Sequence, residues 1–279
     1  HRPNFRALTA ALGLRVPVII SIRNNPEPFY SGRTDKFQIR WLFPHAAGCV
    51  YQTAEQRDFF KPYLQENSRV IMNPVNQKYI ELPDPDYEHQ ERCVVQSSRL
   101  VDFKNQEMLL RAFAKVHAVH PDWSLKIYGP DSEDGTKEKL EEIIRANQAR
   151  DWMQLMGGTD RLEELIPKAA IYTLPSNYEG MPNALMEAMA MGMPCISTDC
   201  PAGAPRVLIQ DGVNGLLIPV GDEAAMTAAI LKLIENPELR RSLGQEARKI
   251  REIAGTDEIY HQWKDYLEEV IREREGKKT

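Results

Sequence analysis

The sequence predicts an α/β protein whose main body is a doubly wound parallel sheet. Short apolar or β-branched runs alternate with longer segments of helical period, the pattern of successive βα units. Gly, Pro, Asn or Ser punctuates most of the junctions between them. The 279 residues, 42% of them hydrophobic, are enough for two modest domains or one large one.

Taken in order, Phe5, Leu8 and Leu12 recur at helical spacing over 4–12, and Gly13 stops that segment before the strand-like run Val16, Val18, Ile19 and Ile20. A helix over 37–43, a strand over 48–51 and a helix over 53–60 follow, with Thr53 placed to cap the last and Pro62 just beyond it. Residues 69–72 give another short strand. From Asn73 to Tyr87 the chain is Pro-rich, acidic and aperiodic, so a boundary is expected there. Beyond it come strands over 93–97, 124–128, 153–156, 170–174, 195–198 and 215–219. Helices are expected over 106–119, 137–149, 161–166, 183–191, 223–234, 237–250 and 256–272. In the last of these Ile259, Trp263, Tyr266, Leu267 and Val270 form a packing stripe.

This series divides the chain into a partial N-terminal domain (1–75), a linker (76–91), a complete C-terminal domain (92–255) and a final helix (256–279). A sheet of two or three βα units leaves edges and faces bare. Residues 1–75 are therefore expected either to belong to a larger domain with further residues upstream, or to pack on the second half. The start at His1, with no signal-peptide pattern, is read as a processing boundary.

Composition excludes several classes. Lys and Arg number 35 against 40 Asp and Glu, a net charge of −5, with no dense basic block, so nucleic acid is not an expected partner. No apolar run approaches the roughly 20 residues of a bilayer span. Cys49, Cys93, Cys195 and Cys200 show neither a CxxC pair nor zinc spacing and read as reduced, buried thiols of a cytoplasmic protein. The GxGxxG, GxxxxGK and GxSxG patterns are absent, which disfavours dinucleotide dehydrogenases, P-loop enzymes and serine hydrolases. His117 and His120 read as helix surface, and the pair Asp84 and Asp86 as structural, so no metal site is expected.

Two segments carry chemistry. After the strand ending at Leu174, a turn rich in Ser, Asn, Gly and Pro leads into a helix beginning near Pro182 or Asn183, whose free N–H groups and dipole form an anion site. Glu179 falls in that turn and Glu187 in the second helical turn, at the strand ends where open α/β sheets bind ligands. After the strand ending at Ser97, Arg99 and Lys104 project from one loop, a fork and a point charge suited to a diphosphate or, on the bland reading, a solvated pair. Together these ask for an anionic ligand bearing hydroxyls, a sugar nucleotide.

The segments Ser98-Arg99-Leu100…Lys104-Asn105, 178–199 and 211–219 resemble those of family 4 retaining glycosyltransferases over nearly all of 92–274 and, more weakly, over 15–75. The resemblance implies the GT-B architecture of two Rossmann-like domains, the N-terminal one partial here, with the final helix 256–279 returning toward the N-terminal domain. It implies that Arg99 and Lys104 bind the donor diphosphate, that Glu179 contacts the donor sugar and that Glu187 holds the ribose hydroxyls. Because Pro182 has no N–H, the backbone contacts to the phosphates fall to Gly180, Met181, Asn183 or Ala184. The turn 156–159, with Gly157, is similar to the place where the base is read, and nothing there separates uracil from guanine. The strand reaching Arg23 resembles one on which many members carry a His near the transferred sugar, which puts Arg23 on the acceptor or sugar side or in a structural salt bridge. The family's N-terminal Gly-rich loop has no counterpart, so an upstream segment is expected.

The activity implied is transfer of a sugar, with retained configuration, from a nucleotide sugar to an acceptor hydroxyl in polysaccharide or glycolipid assembly, without metal or cofactor. A UDP-sugar is the first donor to test. The acceptor is expected to be a carbohydrate or lipid-linked, with peripheral association at the cytoplasmic membrane face through the upstream region. The alternatives are a sugar-nucleotide-binding module without turnover and a GT-B epimerase, whose pattern the Glu-x7-Glu spacing does not match.

Overall fold

A computed structural model describes residues 2–14 and 16–276. Its strands are β1 (Ile19–Ser21), β2 (Gly48–Tyr51), β3 (Ser68–Val70), β4 (Glu91–Ser97), β5 (Ser124–Tyr128), β6 (Met153–Gly157), β7 (Ala169–Leu174), β8 (Cys195–Thr198) and β9 (Leu216–Ile218). They form two sheets, ordered β1-β2-β3 and β6-β5-β4-β7-β8-β9, and every pairing is parallel.

The six-stranded sheet is covered on both faces, which is why its central strands read as continuous apolar runs. Along β4, Val94 joins one apolar layer with Leu125, Ile171, Phe113 and Leu233, while its neighbour Val95 points to the other, with Tyr172, Leu185 and Met189. Helices Gln106–Val119 and Glu223–Glu235 supply the first layer and helix Asn183–Ala190 the second.

The three-stranded sheet is also covered twice. On one side Phe5, Tyr30, Phe43, Tyr51 and Phe60 form a ring cluster. On the other, Val50 and Ile71 meet Ile259, Tyr266 and Val270 of the last helix, Thr256–Gly276. Tyr266 donates to the Asn67 carbonyl at 2.7 Å, and Arg69 pairs with Glu269 at 2.6 Å. The stripe on the last helix thus returns onto the first sheet, except for Leu267, which is exposed because it falls off the buried face. Where the chain passes between sheets, the Val75 N–H donates to the Ala254 carbonyl at 2.8 Å and the Thr256 hydroxyl to the Val75 carbonyl at 3.2 Å.

Several elements depart from expectation. The run from Val16 becomes a strand only at Ile19, because Pro17 has no donor and β2 offers its first partner, Gly48, to Ile19. Residues 69–72 yield the strand Ser68–Val70. Helices Pro26–Tyr30, Gln77–Ile80 and Ala204–Leu208 are too short to show a period; the first two are capped by the Asn25 and Asn76 side chains. Thr53 caps its helix through a 3.1 Å bond from the Gln56 N–H, but the helix ends at Asp58. The helix expected over 137–149 ends at Ala146, and that over 237–250 is split into Pro237–Ala247 and Ile250–Ile253. His117 is half-buried on its helix: its ring stacks on Trp152 at 3.8 Å and Nδ1 meets the Trp123 carbonyl at 3.0 Å. All four cysteines are free and buried. Among the described residues no helix is long and apolar enough to cross a membrane.

Candidate functional site

The order β6-β5-β4-β7-β8-β9 runs outward in opposite directions from the β4–β7 pair. That pair is the switch point of the sheet, and the loops leaving it diverge to open a crevice at the strand ends. The loop after β4 carries Arg99 and Lys104, and the loop after β7 carries Glu179.

Local conformation ties the two loops together. Asn105 sits in the left-handed region at φ 51°, which an Asn tolerates, and its Nδ2 donates to Asn177 Oδ1 at 2.9 Å. The Asn177 N–H donates to the Phe103 carbonyl at 2.8 Å, and the Phe103 and Tyr178 rings stack at 4.7 Å. So fixed, Lys104 Nζ reaches Glu179 Oε1 at 2.6 Å, with side chains only 14% and 8% exposed. Ser176 Oγ donates to the same oxygen at 2.6 Å. A pair this sheltered is screened little by water and keeps its geometry.

Pro182 stands at the N-cap of helix Asn183–Ala190 (φ −77°, ψ 95°), one position before the first turn, and its carbonyl accepts the Leu185 and Met186 N–H groups at 3.1 Å each. The Asn183 and Ala184 N–H groups are left without an acceptor among the described residues, at the positive end of the helix dipole. Asn183 is oriented from its side chain, which accepts from Asn73 Nδ2 at 2.6 Å.

A cavity of about 380 Å³ occupies the crevice. Arg99, Lys104, Glu179, Gly180, Met181, Asn183 and Ala184 all line it. Arg99 is exposed and has no ion pair among the described residues. Gly180 is where the first half touches the loop: a Cβ there would lie 2.3 Å from the Arg23 carbonyl oxygen and 2.9 Å from the Asn24 Cα.

Three predicted residues lie outside this lining. Glu187, one turn along the helix, shares its surroundings with Lys78 and Tyr79; burial pushes its carboxyl up to about 7, against the opposing pull of the Lys78 charge. Gly157 ends β6, three strands from β7, about 14 Å away at about 4.8 Å per strand. Arg23 stands at a neighbouring cavity with its guanidinium 5.9 Å from the Trp263 ring centroid, and desolvation lowers its pKa from the ordinary arginine value.

The cavity is also lined by Ser98, Phe103 and Tyr178, which lie inside the two predicted loops but carry no charge to mark them, and by Asn24, Asn25 and Phe29. The last three come from the other half of the chain, and no local pattern marks them. A separate cavity of about 580 Å³, around Arg92, His120, Asp122 and Arg240, opens at the N-terminal end of β4. Some of its charges are engaged: Arg92 pairs with Asp122, His120 with Glu235, and Arg240 donates to the Leu233 and Ile234 carbonyls. Among the described residues no cluster of three or more His, Cys, Asp or Glu could hold a metal ion.

The family model for glycosyl transferases group 1 matches residues 82–250, more than half of the chain. A Streptomyces coelicolor exopolysaccharide phosphotransferase is 32% identical over 186 residues, 66% of this chain and 19% of that protein. The GtfA subunit of a UDP-N-acetylglucosamine–peptide N-acetylglucosaminyltransferase from Streptococcus pneumoniae is 31% identical over 221 residues, 77% of this chain and 42% of that protein. The chain thus spans about half the length, or less, of these curated relatives. Among solved structures, S. aureus TarM, in a complex that includes UDP, matches at 25% identity with a TM-score of 0.76, covering 90% of this chain and 50% of TarM. Pneumococcal GtfA with UDP and GlcNAc matches at 25% identity and 0.75, covering 91% and 53%. Anabaena HepE with UDP shares the fold at 17% identity and 0.86, covering 96% and 76%. With a GT-B fold and a family match across the six-stranded sheet and its crevice, this chain belongs to the glycosyl transferases of group 1.

Proposed function

We propose that the protein transfers a sugar from a nucleotide sugar to an acceptor hydroxyl with retention of anomeric configuration. The observation that carries this reading is the sheltered Lys104–Glu179 pair set beside two free helix N–H groups and an unpaired Arg99 at the switch point. The Arg99 fork and the Asn183 and Ala184 N–H groups take the diphosphate. Lys104 spends one of its three N–H donors on Glu179 and has two left for a phosphate oxygen. Glu179, held by Lys104 and Ser176, presents its other oxygen to a sugar hydroxyl. Glu187 takes the ribose diol, and the turn at Gly157 the base.

As the glycosidic bond loosens, negative charge grows on the departing diphosphate, where Arg99, Lys104 and the helix end are already oriented. This supplies the stabilisation without a metal. UDP is the favoured nucleotide because TarM and GtfA were solved with it. The acceptor is a carbohydrate or lipid-linked chain in polysaccharide or glycolipid assembly, and the protein works in the cytoplasm, where its four thiols stay reduced.

Calorimetric titration with UDP, GDP and ADP tests the donor side. UDP is expected to bind, and Arg99→Ala to weaken it by about 10- to 100-fold, the range for loss of a charged hydrogen bond. No nucleotide binding, or equal binding by the variant, overturns the reading. Binding without sugar transfer to any acceptor favours a binding module, and proton NMR of the product anomer decides retention.

A further inference from the structure

We infer that the cavity adjoining the donor pocket on the first half of the chain is a subsite for an anionic group of the acceptor, with Arg23 as its charged contact. The cavity measures about 330 Å³ and is lined by Asn4, Ser21, Arg23, Asn24, Phe29 and Tyr30 together with Pro3. It shares Asn24 and Phe29 with the donor pocket, so a molecule in one cavity touches the wall of the other.

The chemistry of the wall selects for negative charge. Among the described residues no carboxylate lines it. Asp35, whose charge is felt by Tyr30, is not among the lining residues. Arg23 makes no ion pair among the described residues, whereas Arg69 and Arg206 each meet a carboxylate within 2.7 Å. Instead Arg23 lies over the Trp263 ring, which holds the guanidinium without neutralising it or occupying its in-plane N–H fork. Asn4 Nδ2 is already held by the Ser21 carbonyl at 2.8 Å, which stiffens the wall, and the Ser21 hydroxyl is buried there with no hydrogen bond among the described residues.

Arg99 and Arg23 therefore line adjoining cavities, and neither guanidinium has an ion pair among the described residues. Under the reading above the first is taken by the donor diphosphate. The second calls for another anion, a phosphate or carboxylate, carried near the accepting hydroxyl. Arg23 would act as a specificity residue, since the backbone contact at Gly180 uses only its carbonyl and leaves the side chain to the ligand.

The inference rests on the donor assignment, and the test separates the two. Protein with and without saturating UDP is titrated with glycerol 3-phosphate, with glucuronate and, as a neutral control, with glucose, and chemical shifts are followed by NMR. At least one of the two anions is expected to bind with UDP present and at least tenfold more tightly than glucose. Arg23→Gln should weaken that anion at least tenfold while leaving UDP affinity unchanged. Which anion binds distinguishes a phosphate-bearing from a uronate-bearing acceptor. Equal binding of glucose and the anions, no binding of either anion, or anion binding indifferent to Arg23→Gln overturns the inference. Failure of UDP to bind counts against the donor assignment alone, because the arm without UDP still reads the Arg23 subsite.

Discussion

Glu187 holds its proton more tightly in the folded chain than in the unfolded one. Burial raises its carboxyl from an ordinary 4.5 to about 7. Between those values the native state binds more protons, so this group's contribution to stability falls as pH rises through the window and is lost in full above about 7. Glu187→Gln is expected to stabilise the protein near pH 8 by ~1–3 kcal/mol and to change little near pH 4, which urea unfolding at the two pH values would read. The Lys104–Glu179 pair behaves differently because each partner shelters the other. Lys104→Met strands a carboxylate whose side chain is 8% exposed and should cost about 2–4 kcal/mol, with Ser176 offsetting part of the loss. Adding Glu179→Gln should recover some of that cost, so a double-mutant cycle is expected to show strong coupling; additive losses would mean the pair is not energetically joined.

At the scale of elements, the donor crevice depends on how closely two loops approach. Gly180→Ala would press a methyl group against the Arg23 carbonyl and Asn24 Cα, both backbone and unable to swing aside. A loss of about 1–3 kcal/mol in stability is expected, with weaker UDP binding, measured by thermal unfolding and calorimetry. The reason for that glycine could not be read from its own neighbourhood, since its partner lies far away in sequence. The same distinction governs what else was legible. Strands β4, β5, β7 and β8 announce themselves through buried apolar runs, and Arg99, Lys104 and Glu179 through the strand-to-helix turns that follow them. The helices at Pro26–Tyr30 and Ala204–Leu208 are shorter than two turns and leave no period. Asn24, Asn25 and Phe29 reach the cavity only because the two sheets pack together, and a single pass along the sequence holds no record of that packing.

For the molecule as a whole, the final helix links the two halves by covering the first sheet with residues that follow the second. Tyr266→Ala would remove a ring buried against Val50 and Ile71 and leave the Asn67 carbonyl without its donor. A cost of about 3–5 kcal/mol is expected, confined to the three-stranded half. Scanning calorimetry should show an earlier transition splitting from an unmoved later one, whereas a single shifted transition would mean the halves melt as one unit. The chain passes between the sheets twice, near Val75 and near Ala254, and these two passages are bonded to each other. A body joined to another by a single thread could turn about it, whereas two threads bonded to each other, with a further tie from the Thr53 hydroxyl to the Ala202 carbonyl at 2.7 Å, seat the Arg23 carbonyl against Gly180 in one fixed register.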